Sequence, residues 1–542
     1  MDSPTEDGRR SVVVRWAPWI LAALIVLSYA NSFRGAFLFD DFGSIVRNPA
    51  LRTFVTAVRG SSRPLTDATF HMNYCLGGRA ADFHLVNLAI HLTAALLLFG
   101  LARRVLARVP DGRLGPAGVS GCALCVSALW ALHPVQTQSV TYIVQRAESL
   151  MGLAYLLTLY AVVRAAEAGP RAGAWPGVAI AACALGVLAK SVMVTAPLMA
   201  LLLDRLFWAG TFRAALRARR GLYAGLAATW LALAAIVAVV AVHSTGIQPQ
   251  LPSLFQYGRT QAVVVLHYLR LIVWPVDLCL DYVWPMATWG EAALPAVVVA
   301  AVCAASAWAY ARRYAAGMAG LWFFIVLAPT SSFIPLGDMA FEHRLYLPLA
   351  GPVALAVGGL AWALAPRVRA SVLAAAGVAV VVAAGALTVQ RNAIYHSEET
   401  MWRDVVAKRP GNLRARIDLA VALAEGGKTR EAKSQFEEAL SRFPAAARAR
   451  LDAGRKQYDR WLMPDADDYH YFRAQANLGM LLQKEGQADE ALRHYAAALR
   501  IVPGDALVLA KAKELLRAQG VPADRTDEAL QNLLRNGKGG DR

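Results

Sequence analysis

Two adjacent carboxylates, Asp40 and Asp41, stand in the stretch FLFDDFGSIVRNP, just past the first long apolar run of the chain. A carboxylate at such a boundary, partly withdrawn from water, has its pKa pushed up and can take a proton from a hydroxyl as a general base. Charged and polar residues recur beside later apolar runs: Arg63 in RPLTDATFHMNY, His133, Arg146 and Glu148 in HPVQTQSVTYIVQRAES, and Lys190 in LAKS. FEHRLYLP adds Glu342, His343, Arg344 and Tyr346. Charged side chains at membrane depth are costly unless they pair or line a wet cavity, so one shared site explains the set better than separate placements do. Arg grips a phosphate bidentately and Lys supplies a point charge. Carboxylates beside such cations suit group transfer from a phosphate-bearing donor to a hydroxyl, as sugar transfer from a polyprenyl phosphate requires. No phosphate-cradling Gly-rich loop, GxSxG elbow or HExxH metal helix competes with that chemistry. For any one residue the plainer reading stays open: Glu148 pairing with Lys190 would simply hold two helices together.

The elements that must position these residues are membrane helices. Of 542 residues, 57% are hydrophobic and 17% charged, with a mean hydropathy of +0.40. Apolar runs near 12–30, 84–106, 116–133, 148–165, 174–190, 192–208, 221–242, 290–311, 317–334, 345–365 and 369–389 predict about eleven spans, each needing roughly 20 apolar residues. Arg9, Arg10 and Arg15 precede the first run, which has no evident cleavage site. It reads as an uncleaved signal anchor with its N-terminus cytoplasmic, so Asp40 and Asp41 fall outside. The stretch 259–276, interrupted by His267 and Arg270, is taken as interfacial or re-entrant. That parity keeps the basic loops 102–108, 164–173, 211–220, 311–317 and 365–370 inside, as the positive-inside rule prefers. The net charge of +17 resides largely in such loops, which argues against nucleic-acid binding. Cys122 and Cys125, although spaced CxxC, lie in an apolar run and read as packing residues.

After Arg391 the composition turns soluble and a repeat appears. Leu419, Ala420, Leu423, Ala432, Phe436, Ala439 and Pro444 recur at one constant offset as Leu478, Gly479, Leu482, Ala491, Tyr495, Ala498 and Pro503. Small residues at a helix crossing, an aromatic four later and a closing Pro match the tetratricopeptide pattern, with units at about 413–446 and 472–505. The residues between the units, and 505–535, could hold degenerate helices that extend or cap the array. The fold class is therefore all-α: a polytopic helical bundle over 1–390, with a first outer loop at 31–83, followed by an extracytoplasmic α-solenoid over 391–542.

These stretches in this order, ahead of such repeats, resemble the family of transmembrane and tetratricopeptide-repeat proteins, whose better-known members are O-mannosyltransferases of the GT-C superfamily. FDDFGSIVRNP, RPLTDATFHMNY with FHLVNLAIHL, ALWALHPVQTQSVTYIVQRAESL, LAKSVMVTAPLMALLLDRLF, YLRLIVWPVDLCLDY and APTSSFIPLGDMAFEHRLYLP carry the resemblance. It implies a GT-C-like bundle that transfers mannose or another hexose from a polyprenyl-phosphate donor to Ser or Thr hydroxyls of proteins on the outer side, the repeats choosing the acceptor. It implies Asp40 or Asp41 as the base and Arg146, Lys190, His343, Arg344 and, more weakly, Arg63 around the donor phosphate, with Glu148, Glu342, His133 and Tyr346 in support. No cofactor is called for besides the lipid-linked donor, and metal use stays open. Richness in Ala, Arg and Gly points to a bacterial inner membrane, with the repeats in the periplasm. The competing reading is a non-catalytic, membrane-anchored repeat scaffold for protein partners.

Overall fold

The computed structural model describes residues 4–109, 114–243, 252–443 and 466–536, and all the regular elements among them are helical. The chain is an integral membrane protein. Among the described residues, seven helical segments are long and apolar enough to cross a bilayer: Arg15–Arg34, Ala80–Leu106, Ile143–Arg171, Ser191–Ala209, Arg220–Ala238, Trp289–Ala311 and Ala370–His396. Pro116–Ala131 with Pro134–Val140 makes an eighth if counted as one span bent by 48°; the break falls at Pro134, which has no N–H to continue the helical ladder.

Three further spans expected from the sequence correspond to the shorter apolar helices Trp175–Val187, Ala315–Leu327 and Ala350–Leu364. Each apolar run outlasts its helix for a local reason. The first stops short of Lys190, the second ends two residues before Pro329, and the third begins two residues after Pro348. The stretch around 259–276 folds as the amphipathic helix Leu254–Val273, opened by a Ser253–Gln256 capping box. Tyr257, Gln261, Val264, Tyr268 and Leu271 form its buried face, and it is not among the helices apolar enough to span.

The chain divides into two compact units, the first ending at Ser397 and the second taking in Glu398 onward. In the first, a core of wholly buried aromatics, Trp130, Tyr155 and Tyr346 among them, fixes the helix ends. Trp130 Nε1 donates to the Tyr346 carbonyl at 2.7 Å and Trp322 Nε1 to that of Leu347 at 2.8 Å, so two indoles pin the FEHRLYLP stretch. On the side of the basic loops, the 211–220 stretch folds as the short helix Phe212–Ala218, and Asp204 accepts Arg219 at 2.8 Å and the Tyr223 hydroxyl at 2.6 Å just after it.

The second unit contains the helix pairs Leu413–Glu425 with Thr429–Arg442 and Ala466–Lys484 with Ala488–Ile501, followed by Ala506–Ala518 and Thr526–Asn536. Both connections turn through a glycine of positive φ, Gly427 at 75° and Gly486 at 79°, a conformation that other residues adopt at a cost. Gly479 sits where two of these helices cross: a methyl there would come within 2.8 Å of the Tyr495 ring. Pro444, and most of the segment thought to hold a degenerate helix, lie outside the described residues.

Candidate active site

Every residue from Ala131 to Ser149 is buried, although this stretch holds Gln136, Thr137, Gln138, Ser139, Thr141, Gln145, Arg146, Glu148 and Ser149. Buried polar groups need partners, and here those partners are supplied by the other motifs of the first unit. The stretch is helical only in pieces, Pro134–Gln136, Thr137–Val140 and Ile143–Gln145, before the long helix from Arg146 to Ala168 begins. Its irregular backbone and side chains therefore face several elements at once.

The acidic pair meets its middle. Asp41 is 0% exposed, and each of its oxygens is taken by a backbone amide: Leu38 N–H donates to Oδ2 at 2.9 Å and Val144 N–H to Oδ1 at 2.7 Å. Burial raises the Asp41 carboxyl to about 8, the two amides and the charge of Arg146 pulling in the other direction. Asp40 is exposed. Its N–H donates to the Tyr142 hydroxyl at 3.0 Å, and that phenol also hydrogen-bonds the Asp40 side chain. Burial, then Asp41 and Asp40, hold the phenol far above its ordinary pKa, so Tyr142 stays protonated and remains a donor. Phe39, just before the pair, has φ of 45°, a left-handed bend that a bulky residue adopts only when its surroundings impose it. That bend lets two neighbours face opposite environments.

Arg146 is wholly buried and fully engaged. It donates to Asn87 Oδ1 at 2.6 Å, the Thr69 carbonyl at 3.1 Å and the Phe83 carbonyl at 3.0 Å, with its guanidinium 4.7 Å from the Phe70 ring centroid and 5.3 Å from that of Phe83. It ties the RPLTDATF and FHLVN stretches together and places a positive charge near Asp41. Glu148, in the first turn of the same helix, forms a buried ion pair with Lys190. The Leu65 N–H donates to the Leu188 carbonyl at 3.1 Å, so the start of the Pro64–Cys75 helix, where Arg63 is the N-cap, lies against the Lys190 turn.

At the other end of the stretch, Gln138 holds His343. The His343 N–H and ring Nδ1 both donate to Gln138 Oε1, at 2.7 and 3.1 Å, leaving Nε2 as the nitrogen with a lone pair. Burial, reinforced by the charges of Lys190, Arg344 and Arg63, keeps His343 well below its ordinary pKa and hence neutral. Those cations thus form one electropositive region with the imidazole. Arg344 itself is occupied: its guanidinium donates to the carbonyls of Thr330, Met339 and Asp338, at 2.9, 3.0 and 2.6 Å.

The remaining expected residues hold the frame. His133 Nδ1 accepts the Val135 N–H at 3.3 Å and its Nε2 donates to the Ile272 carbonyl at 3.2 Å. The Tyr346 hydroxyl donates to His91 Nδ1 at 2.9 Å, and Glu342 accepts the Cys279 N–H. Among the described residues no three His, Cys, Asp or Glu side chains gather as a metal cluster. Sequence reasoning did not single out Tyr142, Asn87 or the holding role of Gln138. All three stand inside the stretches it quoted, and a polar run that is buried whole is the signal that would have found them.

Comparison with known proteins finds similarity to protein O-mannosyl-transferases. Protein O-mannosyl-transferase Tmtc2 of Drosophila melanogaster is 32% identical over 205 residues, 34% of this chain and 21% of that protein. Protein O-mannosyl-transferase F38B6.6 of Caenorhabditis elegans is 26% identical over 475 residues, 82% of this chain and 65% of that protein. Protein O-mannosyl-transferase TMTC1 of Homo sapiens is 24% identical over 513 residues, 80% of this chain and 56% of that protein. The chain thus spans less than two thirds of the length of these relatives. No family model and no solved structure matches it. The homologues of this chain are thus TMTC-family protein O-mannosyltransferases, two of them similar to it over 82% and 80% of its length.

Proposed function

We propose that the protein is a membrane glycosyltransferase that moves mannose or another hexose from a polyprenyl-phosphate donor to Ser or Thr hydroxyls of proteins, on the face opposite the basic loops. One observation carries this reading: the buried stretch 138–148 touches the acidic pair, the Lys190 turn and His343 through Tyr142, Val144, Glu148 and Gln138. A scaffold has no need to converge an exposed carboxylate and a cationic pocket on one wall. The relatives' names supply the reaction class.

In this reading Asp40 is the general base. Its neighbour has the raised pKa that often marks a base, but Asp41 is sealed, with both oxygens spent on amides, so an acceptor hydroxyl cannot reach it. Asp40 is within reach of solvent and held by Tyr142. As the acceptor oxygen attacks the anomeric carbon, Asp40 takes its proton and the polyprenyl phosphate leaves, inverting that carbon. Lys190, released in part from Glu148, and Arg63 meet the leaving phosphate, while neutral His343 offers Nε2 to a sugar hydroxyl. Arg146 and Arg344, their donors already engaged, act by charge and by holding the walls. The second unit, read as a tetratricopeptide array, selects the acceptor, and a bacterial inner membrane is the location proposed.

The test is transfer in vesicles containing the purified chain, polyprenyl-phosphate mannose and a Ser/Thr-rich peptide, read by the peptide's mass. A hexose added by the wild type and absent with Asp40→Asn supports the reading. Undiminished transfer by Asp40→Asn overturns the base assignment, and no transfer with any lipid-linked hexose favours the scaffold.

A further inference from the structure

Away from the acidic pair, the first unit holds a cavity of about 620 Å³, within the range of small-molecule sites. Its walls are the helices Ala80–Leu106 and Pro116–Ala131, the segment Ser191–Ala209, and the helices Ala315–Leu327 and Ala350–Leu364. Small residues on the last two make the room: Gly359 has no atom within 4 Å of where a methyl would stand, and Gly358 meets only Leu106. The wall is otherwise apolar, and the charged residues that line it are Arg312 and Arg313, in the turn before Ala315–Leu327. Leu355, Trp362 and Tyr314 on its margin are 43%, 42% and 57% exposed, so the cavity opens on the flank that faces lipid.

Three features of the mouth bear on what fills it. Arg312 and Arg313 are both exposed, and neither makes an ion pair with a carboxylate among the described residues. Arg313 donates to the Gly210 carbonyl at 2.8 Å, which fixes it at the membrane end where the basic 211–220 loop lies. The Arg312 guanidinium lies 5.8 Å from the Trp308 ring centroid, and Tyr314 and Trp362 line the same cavity as the two arginines. Aromatic rings beside Arg mark the headgroup level of a bilayer. An apolar cavity at acyl depth under two guanidinium groups that no described carboxylate pairs with, at phosphate depth, is complementary to an anionic lipid.

We propose that this cavity binds one anionic phospholipid from the leaflet on the side of the basic loops, its acyl chain between the Ala315–Leu327 and Ala350–Leu364 helices and its phosphate at Arg312 and Arg313. The site does not depend on the transferase reading. It is tested on the full chain, extracted in detergent, stripped of lipid and offered equal parts of phosphatidylglycerol, phosphatidylcholine of the same chain length and polyprenyl phosphate, with native mass spectrometry reading what stays bound. The wild type retains one phosphatidylglycerol at least about tenfold over phosphatidylcholine, as two interfacial cations would give. Arg312→Gln with Arg313→Gln brings that ratio near unity, Arg312→Lys with Arg313→Lys preserves it, and Gly358→Leu with Gly359→Leu lowers retention of both phospholipids. Equal retention of the two phospholipids by the wild type, or a ratio that survives the double Gln variant, overturns the proposal. Preferential retention of polyprenyl phosphate, lost in the Gly358→Leu, Gly359→Leu variant, overturns it too and gives the cavity to the donor.

Discussion

The Tyr142 hydroxyl takes the backbone N–H of Asp40 at 3.0 Å while hydrogen-bonding the side chain of the same residue. A single phenol thus holds the exposed aspartate at its backbone and at its side chain. Tyr142→Phe removes both bonds and keeps the ring. Hydrogen bonds to charged groups are worth about 1.5–3 kcal/mol, so transfer falls by roughly one to two decades while membrane content stays at the wild-type level. Combined with Asp40→Asn, the Phe variant adds little further loss, because the two residues act as one unit. A double-mutant cycle on transfer rate checks this, and simple additivity would separate them.

The two aspartates part by pH. Asp41 ionises near its ordinary value in the unfolded chain and only at about 8 in the fold, so unfolding releases a proton between those limits. Stability is therefore full below about pH 4, declines as pH rises towards about 8, and levels off above it, by at most about 1.4 kcal/mol per pH unit. Asp41→Asn resembles the neutral carboxyl and flattens that decline, whereas Asp40→Asn leaves it in place. Thermal melts of the detergent-solubilised chain across pH 4 to 9 distinguish the variants.

Glu148 and Lys190 are a buried pair, their side chains 3% and 11% exposed. Removing one partner of such a pair costs about 3–5 kcal/mol. Lys190→Met accordingly melts earlier than the wild type, and added polyprenyl phosphate does not rescue it. Glu148→Gln also melts earlier, but it frees an ammonium for an anion and gains more from added polyprenyl phosphate than the wild type does. If both variants respond equally to the lipid, Lys190 is not at the donor phosphate.

Gly152 lies under the Tyr346 ring, where even a methyl would collide. Gly152→Ala displaces that ring and strains its bond to His91, at a cost of about 1–3 kcal/mol. The expected result is a melting point lower by a few degrees and slower transfer. Gly118→Ala, with only Leu114 near, at 3.6 Å, serves as the control and changes neither.

Much of this architecture is legible in the sequence, for reasons that differ by element. Long apolar runs and the helix pairs of the second unit declare themselves because helix periodicity is local. Span count is harder, since hydropathy runs on through residues that end a helix, such as Pro329, and into Lys190. The chemistry-bearing stretches are legible because polar residues beside apolar runs need a reason. Their roles are less so. Arg146, Arg344 and His133 look like cations or bases in one dimension, and only folding brings up the carbonyls and amides that occupy them. The different settings of Asp40 and Asp41 rest on Val144 and Tyr142, about a hundred residues away in the chain and invisible to any window around the pair.

That distance has a consequence for biogenesis. The amide that seals Asp41 belongs to Val144, 103 residues later, and chains are synthesised N-terminal end first. When the acidic loop emerges, neither Val144 nor Tyr142 exists yet, so for that interval the two carboxylates are equivalent and hydrated. They become distinct only after the Ala80–Leu106 helix and the bent Pro116–Val140 segment have been made and the next helix has begun. A ribosome-bound chain stalled before residue 140 should carry an unsettled acidic loop open to proteolysis. One released past the Arg146–Ala168 helix should carry it closed.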